Sequence, residues 1–150
     1  MLKKRLKTFI DVIYTLFFYL IVGCAVHELF HYLIGTWLGW QASVSFPSLF
    51  TGWTTFPQWS IIPLSNVILI ALAGGGITCL MMIGMAYFTE DWEQSMVLYF
   101  IAPLQGIYSL FELGYVLHYF DIKVLSIVPC LLTLPISLYL IKRKNYQTNQ

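Results

Sequence analysis

The length of its uncharged runs is the feature that most constrains what this chain can fold into. No Lys, Arg, Asp or Glu occurs from Tyr32 through Thr89, and the stretch from Val12 to Val26 is also uncharged. Apolar residues make up 59% of the 150 residues and charged residues only 10%, with a mean hydropathy of +0.75. Soluble domains carry about 25% charged residues. The sequence therefore predicts one polytopic membrane domain covering residues 1–150 and embedded in a lipid bilayer.

The apolar segments predict an all-α membrane protein with about four transmembrane helices. Their approximate bounds are residues 8–37, 61–88, 95–119 and 124–141. The first three exceed the roughly 20 residues that a helix needs to cross a bilayer, and the fourth is near the lower limit. Both ends are basic, with Lys3, Lys4, Arg5 and Lys7 at one end and Lys142, Arg143 and Lys144 at the other. Four crossings and the positive-inside rule predict an integral protein of the cell membrane with both termini cytoplasmic. Because the basic clusters flank apolar segments, nucleic acid is not the expected partner.

Residues 41–56, QASVSFPSLFTGWTTF, separate the first two spans and do not have a helical pattern. Val44 and Phe46 alternate with serines, and Pro47-Ser48 marks a turn, so this region predicts a short strand-like or hairpin segment. Two interpretations are open. The segment is either an interfacial loop with its Trp side chains at headgroup level, or an edge strand that offers free backbone groups to an extended peptide.

An HExxH motif, His27-Glu28-Leu29-Phe30-His31, lies within the first apolar span. On a helix, residues four apart share a face, so His27 and His31 can bind one metal ion, and Glu28 lies beside them as a base for an attacking water. A lone carboxylate at such a depth costs about 3 kcal/mol, which favours a function for it. The alternative is a pair of core histidines hydrogen-bonded to backbone, with Glu28 paired to one of them.

Glycines accompany the motif at two places. Gly35 and Gly39 follow His31 at +4 and +8, a spacing that would let another helix approach the metal-binding face closely. Three consecutive glycines, Gly74-Gly75-Gly76, occur within the second span. They permit either close packing against the helix of the motif or local unwinding, and close packing is the favoured interpretation.

The segment HELFHYLIGTWLG resembles the site-2 protease family of intramembrane zinc proteases, in which HExxH is followed by a small residue and a glycine at these spacings. The resemblance covers roughly residues 26–39. It implies that His27 and His31 are zinc ligands, that Glu28 is the catalytic base, and that the substrate is a membrane-anchored protein or peptide. The family takes its third ligand from an aspartate in a Leu-Asp-Gly motif. Here the nearest match, Pro103-Leu104-Gln105-Gly106, has glutamine at that position, and an amide is a weak zinc ligand.

Membrane depth predicts Glu112 as the third metal ligand instead. His27 lies about 28 Å along the first span from its start, and Glu112 lies about 25 Å along the third span, which enters from the same side. Glu112 is also the only charged residue between Glu93 and Asp121, so it needs a partner at depth. The alternative partner for its carboxylate is a tyrosine hydroxyl, from Tyr108 or Tyr115.

Three accessory residues complete the predicted site. His118 and Asp121 are the fallback ligands, both near the outer boundary of the third span. Gln105 shares a helix face with Glu112 at i, i+7, where it could orient Glu112 or donate to a substrate carbonyl.

These residues predict a membrane-embedded zinc metalloprotease, in which Glu28 removes a proton from a zinc-activated water that attacks a peptide bond. Two rivals are open. The first is a non-catalytic membrane metal-binding or regulatory protein, for which Glu28 would be dispensable. The second is a different metal enzyme, since two histidines and a carboxylate can also hold non-haem iron.

Overall fold

The computed structural model describes residues 2–119 and 122–148, with side chains described for residues 9–119 and 128–142. The protein is mostly helical. Four helices follow one another, and a two-stranded antiparallel hairpin lies between the first and second: α1 (Leu2–Trp37), β1 (Ser43–Ser48), β2 (Thr51–Thr55), α2 (Leu64–Phe88), α3 (Trp92–Val116) and α4 (Ile122–Thr148). A 3-10 turn at Trp59–Ile61 precedes α2. The predicted helical architecture and the predicted hairpin are confirmed.

Within the described residues, three helical segments are long and apolar enough to cross a bilayer: Phe9–Trp37, Leu64–Phe88 and Trp92–Val116. These correspond to the first three predicted spans. The apolar part of α4 among those residues is shorter, Val128–Lys142, and α4 contains Pro129 and Pro135. The length and composition of the three long helices are those of a membrane protein.

The end of α1 explains one of the two glycines that follow the motif. Gly39 has a φ of +87°, its N–H donates to the carbonyl of Thr36, and the N–H of Trp40 donates to the carbonyl of Gly35, each at 3.0 Å. This pair of bonds is the Schellman arrangement that terminates a helix, and glycine adopts its left-handed conformation without strain. The interpretation of Gly39 as a close-packing position is therefore wrong, because Gly39 ends the helix through its left-handed conformation and nothing lies within 4 Å of an added Cβ.

The hairpin folds back along α1. The ring of Phe56 packs on Gly35, where an added Cβ would lie 2.6 Å from Phe56 Cζ, and the ring of Phe50 lies 5.8 Å from that of Phe17. The contacts thus extend over eighteen residues of α1, about 27 Å of helix. A hairpin beside the middle of α1, and not an irregular loop at its end, joins the first two spans.

Helix α2 packs closely between α1 and α3 because of the glycine run. It is continuous through Gly74-Gly75-Gly76, so the unwinding alternative is wrong. An added Cβ at Gly74 would overlap the imidazole of His31, and one at Gly75 would lie 2.6 Å from Ser109 Cβ of α3. Close packing is confirmed for these two glycines, whereas nothing lies within 4 Å of a Cβ at Gly76.

Candidate metal centre

Helix α1 places the three polar residues of the HExxH motif together in a buried position. His27, Glu28 and His31 are exposed by only 4%, 8% and 4%. The imidazole rings of the two histidines are 4.7 Å apart between centroids, as expected for residues one turn apart on a helix. One nitrogen from each histidine and an oxygen from Glu28 all lie within 4.8 Å of one another, so this group could hold a metal ion.

Hydrogen bonds on the far side of each ring determine which nitrogen carries the proton. Nδ1 of His27 lies 2.8 Å from Oε1 of Gln105, and Nδ1 of His31 lies 2.6 Å from the backbone carbonyl oxygen of Ile70. Because both partners are carbonyl oxygens, which only accept, each Nδ1–H is the donor. Each Nε2 of a neutral imidazole is then left with a free lone pair. This is the arrangement by which metal-binding histidines are oriented.

The Nε2 atoms of both histidines face the same carboxylate oxygen from α3. Oε2 of Glu112 lies 3.1 Å from Nε2 of His27 and 3.2 Å from Nε2 of His31. A proton on either Nε2 would make these contacts hydrogen bonds to Glu112, whereas with both imidazoles neutral and protonated at Nδ1 all three atoms are electron-pair donors that a metal ion can join. Ligand atoms bound to one tetrahedral metal ion at about 2.0–2.1 Å lie about 3.3 Å apart. The observed separations are close to that value, so the chemistry and spacing of these residues fit a small divalent ion.

The structure gives Gln105 a role that the sequence did not predict. Its amide oxygen accepts from His27, so it orients a histidine and not Glu112, whereas donation from its amide nitrogen to a substrate carbonyl stays a prediction. The tyrosine alternative for Glu112 is not what the structure has, since its carboxylate meets the two histidines. The alternative predicted that both histidines form hydrogen bonds to the backbone. Only the bond between His31 and the carbonyl of Ile70 is of this kind.

Of the two fallback ligands, only His118 lies among the described residues, and it takes no part in this cluster. His118 is exposed and has a φ of 60° in the turn that follows α3, at the rim of a cavity that also contacts Glu112. Asp121 lies outside the described residues.

Strand β2 lies directly over Glu28. The hydroxyl of Thr54 is 2.8 Å from Oε2 of Glu28 and 3.0 Å from its backbone carbonyl oxygen. Gly52, two residues earlier and thus on the same face of the strand, packs so closely that an added Cβ would overlap Cγ of Glu28. Sequence reasoning missed both residues, because nothing in the pattern TGWTT shows which face of the strand would meet α1.

Two cavities flank Glu28, and each borders one half of β2. The Phe17 cavity, of about 460 Å³, is bounded by α1, α3, α4 and the hairpin tip; its apolar lining includes Phe17, Leu20, Leu104 and Pro129. The His118 cavity, of about 540 Å³, contains Glu112 and His31 with more polar groups. Three residues line both: Glu28, Trp53 and Tyr108. An extended chain passing from one cavity to the other would therefore pass Glu28.

Comparison of the chain with protein-family models, with curated proteins and with solved structures finds no match. The functional argument therefore rests on the geometry of the site and on the motif.

Proposed function

We propose that this protein is a membrane-embedded zinc metalloprotease that hydrolyses peptide bonds of membrane-anchored substrates, with a chemistry like that of the site-2 proteases. One observation carries the proposal. Two imidazole Nε2 atoms and one carboxylate oxygen converge from α1 and α3, and a second carboxylate, Glu28, lies beside them. A structural zinc site fills all four positions with protein ligands, whereas a catalytic site uses three and keeps a base beside the open position, which is the role that we assign to Glu28.

The proposal divides the two carboxylates by their contacts. Glu112 is the third ligand with His27 and His31, because its oxygen is the atom that both Nε2 atoms face. Glu28 is the base, because its Oε2 is held by a hydroxyl group from the hairpin and not by the histidines. A His2Glu set leaves a fourth position open, as catalytic zinc sites do.

A bound zinc ion supplies Lewis-acid polarisation of the peptide carbonyl and activation of a water. Glu28 would accept a proton from the attacking water as the water oxygen bonds to the carbonyl carbon. The same residue then donates the proton to the leaving nitrogen as the C–N bond breaks, so that one carboxyl group serves as base and then as acid. Gln105 and the carbonyl of Ile70 keep both imidazoles in the tautomer that presents Nε2 to the site.

The two cavities support a peptide substrate in an extended conformation. They meet at Glu28 and follow β2, whose pairing in the described sheet is with β1 alone, in the register Ser43↔Thr55 and Val44↔Thr54. An exposed strand edge can accept a further strand through backbone hydrogen bonds. The apolar Phe17 cavity lies next to α1 and α4 and suits side chains from a membrane-spanning segment.

We further propose that α4 provides a fourth crossing in the cell membrane, with both basic termini in the cytoplasm. In this arrangement α1 and α3 enter from the same side, which brings Glu112 to the depth of the motif as the structure has it.

Metal analysis and proteolysis assays of the wild type, Glu28→Gln and His27→Ala test the proposed function. Wild-type protein reconstituted in bilayers should contain one zinc ion per chain and cleave a membrane-anchored peptide. Glu28→Gln should keep the zinc and lose cleavage, because Glu28 is not a ligand, whereas His27→Ala should lose both. Zinc binding by a wild-type protein that cleaves none of a broad set of anchored peptides would favour a non-catalytic metal-binding role. Loss of zinc in Glu28→Gln would contradict the division between ligand and base.

A further inference from the structure

The hairpin does more than join α1 to α2, because it lies in close contact with the proposed base, Glu28. Metal binding does not require a strand at this point, since the three metal-binding atoms all come from α1 and α3. Yet the two inward-facing residues of β2, Gly52 and Thr54, both touch Glu28, while the flanking Thr51, Trp53 and Thr55 are exposed.

The contacts with Thr54 restrict how the Glu28 side chain can lie. The hydroxyl of Thr54 is within hydrogen-bonding distance of both the carboxylate and the backbone carbonyl of Glu28, so both acceptors of one residue meet one donor. The β-branched side chain of threonine has few rotamers, and its cross-strand partner Val44 holds the strand in register. Since a glutamate side chain otherwise rotates about three bonds, this contact selects one arrangement of the carboxylate.

Gly52 completes the arrangement from the same face of β2, where it packs against Cγ of Glu28. Because it lacks a Cβ, the strand backbone can lie against Cγ of Glu28, and any larger residue would push the side chain away. We propose that β2 is the positioning element of the catalytic base: Thr54 orients the carboxylate of Glu28 toward the metal-facing side of α1, and Gly52 provides the space for it.

This inference rests on the proposed function and adds a residue to it. Thr54 is a positioning residue, since it acts through Glu28. Strand β2, which borders the proposed peptide path, then also sets the orientation of Glu28. A small movement of the hairpin would therefore change the rate of the catalytic step and leave metal binding unchanged.

The test compares Thr54→Val, which is nearly isosteric but lacks the hydroxyl, with Thr54→Ser, which keeps it. Ser43→Ala is the matched control, because it removes the hydroxyl that pairs with Thr55 at 2.8 Å within the same hairpin without touching Glu28. A hydrogen bond to a charged group corresponds to about 10- to 100-fold in rate. We expect kcat to fall by that factor in Thr54→Val with KM within about twofold, to recover in Thr54→Ser, and to stay unchanged in Ser43→Ala. Gly52→Ala should also lower kcat, with Thr54 intact.

Two readouts do not depend on turnover. Zinc content and amide hydrogen exchange of residues 43–55 should be the same in wild type and Thr54→Val. The infrared carboxylate bands should differ between these two proteins, and that difference should vanish when both carry Glu28→Gln. Faster exchange together with a raised KM would assign Thr54 a merely structural role and overturn the inference. If wild type and Thr54→Val are equally active, the positioning role of Thr54 is overturned and the proposed function stands. If the wild type cleaves no peptide, the proposed function is overturned and the positioning role with it.

Discussion

Substitution of Gly74 by alanine should weaken metal binding without removing any ligand. A Cβ at this position would lie 2.6 Å from Cε1 and 2.8 Å from Cδ2 of His31, and closer still to Nε2, whereas ordinary van der Waals contact begins at 3.4 Å. The ring must therefore move by at least about 0.8 Å, or α2 must move away from α1. His31 is held from behind by the Ile70 carbonyl on the same helix α2, so the ring cannot simply slide backwards.

The expected cost follows from the tolerance of metal–ligand bonds. Sites lose affinity when ligand distances depart by more than about 0.2 Å, and a disturbed orienting partner alone lowers metal affinity by about 10- to 100-fold. We expect Gly74→Ala to lower zinc affinity by at least that factor, measured by competition with a chromophoric chelator in detergent micelles.

Gly76→Ala is the matched control for this measurement, because it makes the same chemical change two residues later where nothing lies within 4 Å of the added Cβ. It should bind zinc as the wild type does. Wild-type affinity in Gly74→Ala would refute the placement of His31 against α2. Equal losses in both variants would show that the effect comes from α2 as a whole and not from the contact with His31.

Three further predictions concern the ligands and the topology. Glu112→Ala should lower zinc affinity by about 100-fold or more, because a structural zinc site gains about 10–16 kcal/mol from about four ligands. Glu112→Asp should retain part of the binding. Full zinc affinity in Glu112→Ala would exclude Glu112 as a ligand. Gln105→Ala should cost only about tenfold in a zinc titration, because it removes an orienting partner, and a loss as large as that of Glu112→Ala would contradict this ranking. In a background without the native cysteines, a cysteine at Ser60 should react with an impermeant maleimide only from outside, and one at Glu90 or Gln147 only from the cytoplasm; labelling of all three from one side would refute the four-span topology.

The sequence predicted the parts of the site that have a periodic signal. The i, i+4 spacing of His27 and His31 defines one helix face, and hydropathy gives the three long apolar helical segments to within about three residues at each end. Depth along two helices that enter from the same side is a simple length, so it could place Glu112 near the motif although no motif includes Glu112. The structure has its carboxylate oxygen 3.1 and 3.2 Å from the two histidines.

The parts that sequence reasoning missed depend on contacts between segments without such a signal. The alternation in β2 marks Gly52 and Thr54 as one face, but the register of the hairpin and its fold back along α1 decide that this face meets Glu28. The direction of Gln105 depends on a rotation of α3 that helical periodicity leaves undetermined. Gly39 was misjudged because a small residue one turn after another has the same spacing whether it packs or ends a helix.

Charge explains why a glutamine suits position 105 in this site. In the proposed metal site the two imidazoles are neutral with Nδ1 protonated, so a divalent ion together with Glu28 and Glu112 as carboxylates would sum to zero charge. A third carboxylate at position 105 would leave one uncompensated negative charge in an apolar environment, where an unpaired charge is costly. The amide of Gln105 provides the same hydrogen-bond acceptor behind His27 without that charge. In the proposed site the carboxylate ligand comes from Glu112, two turns further along the same face of α3, so the residue at position 105 can be neutral. The glutamine is thus consistent with a metal site in which orientation of the histidine and ligation of the ion have been assigned to separate residues.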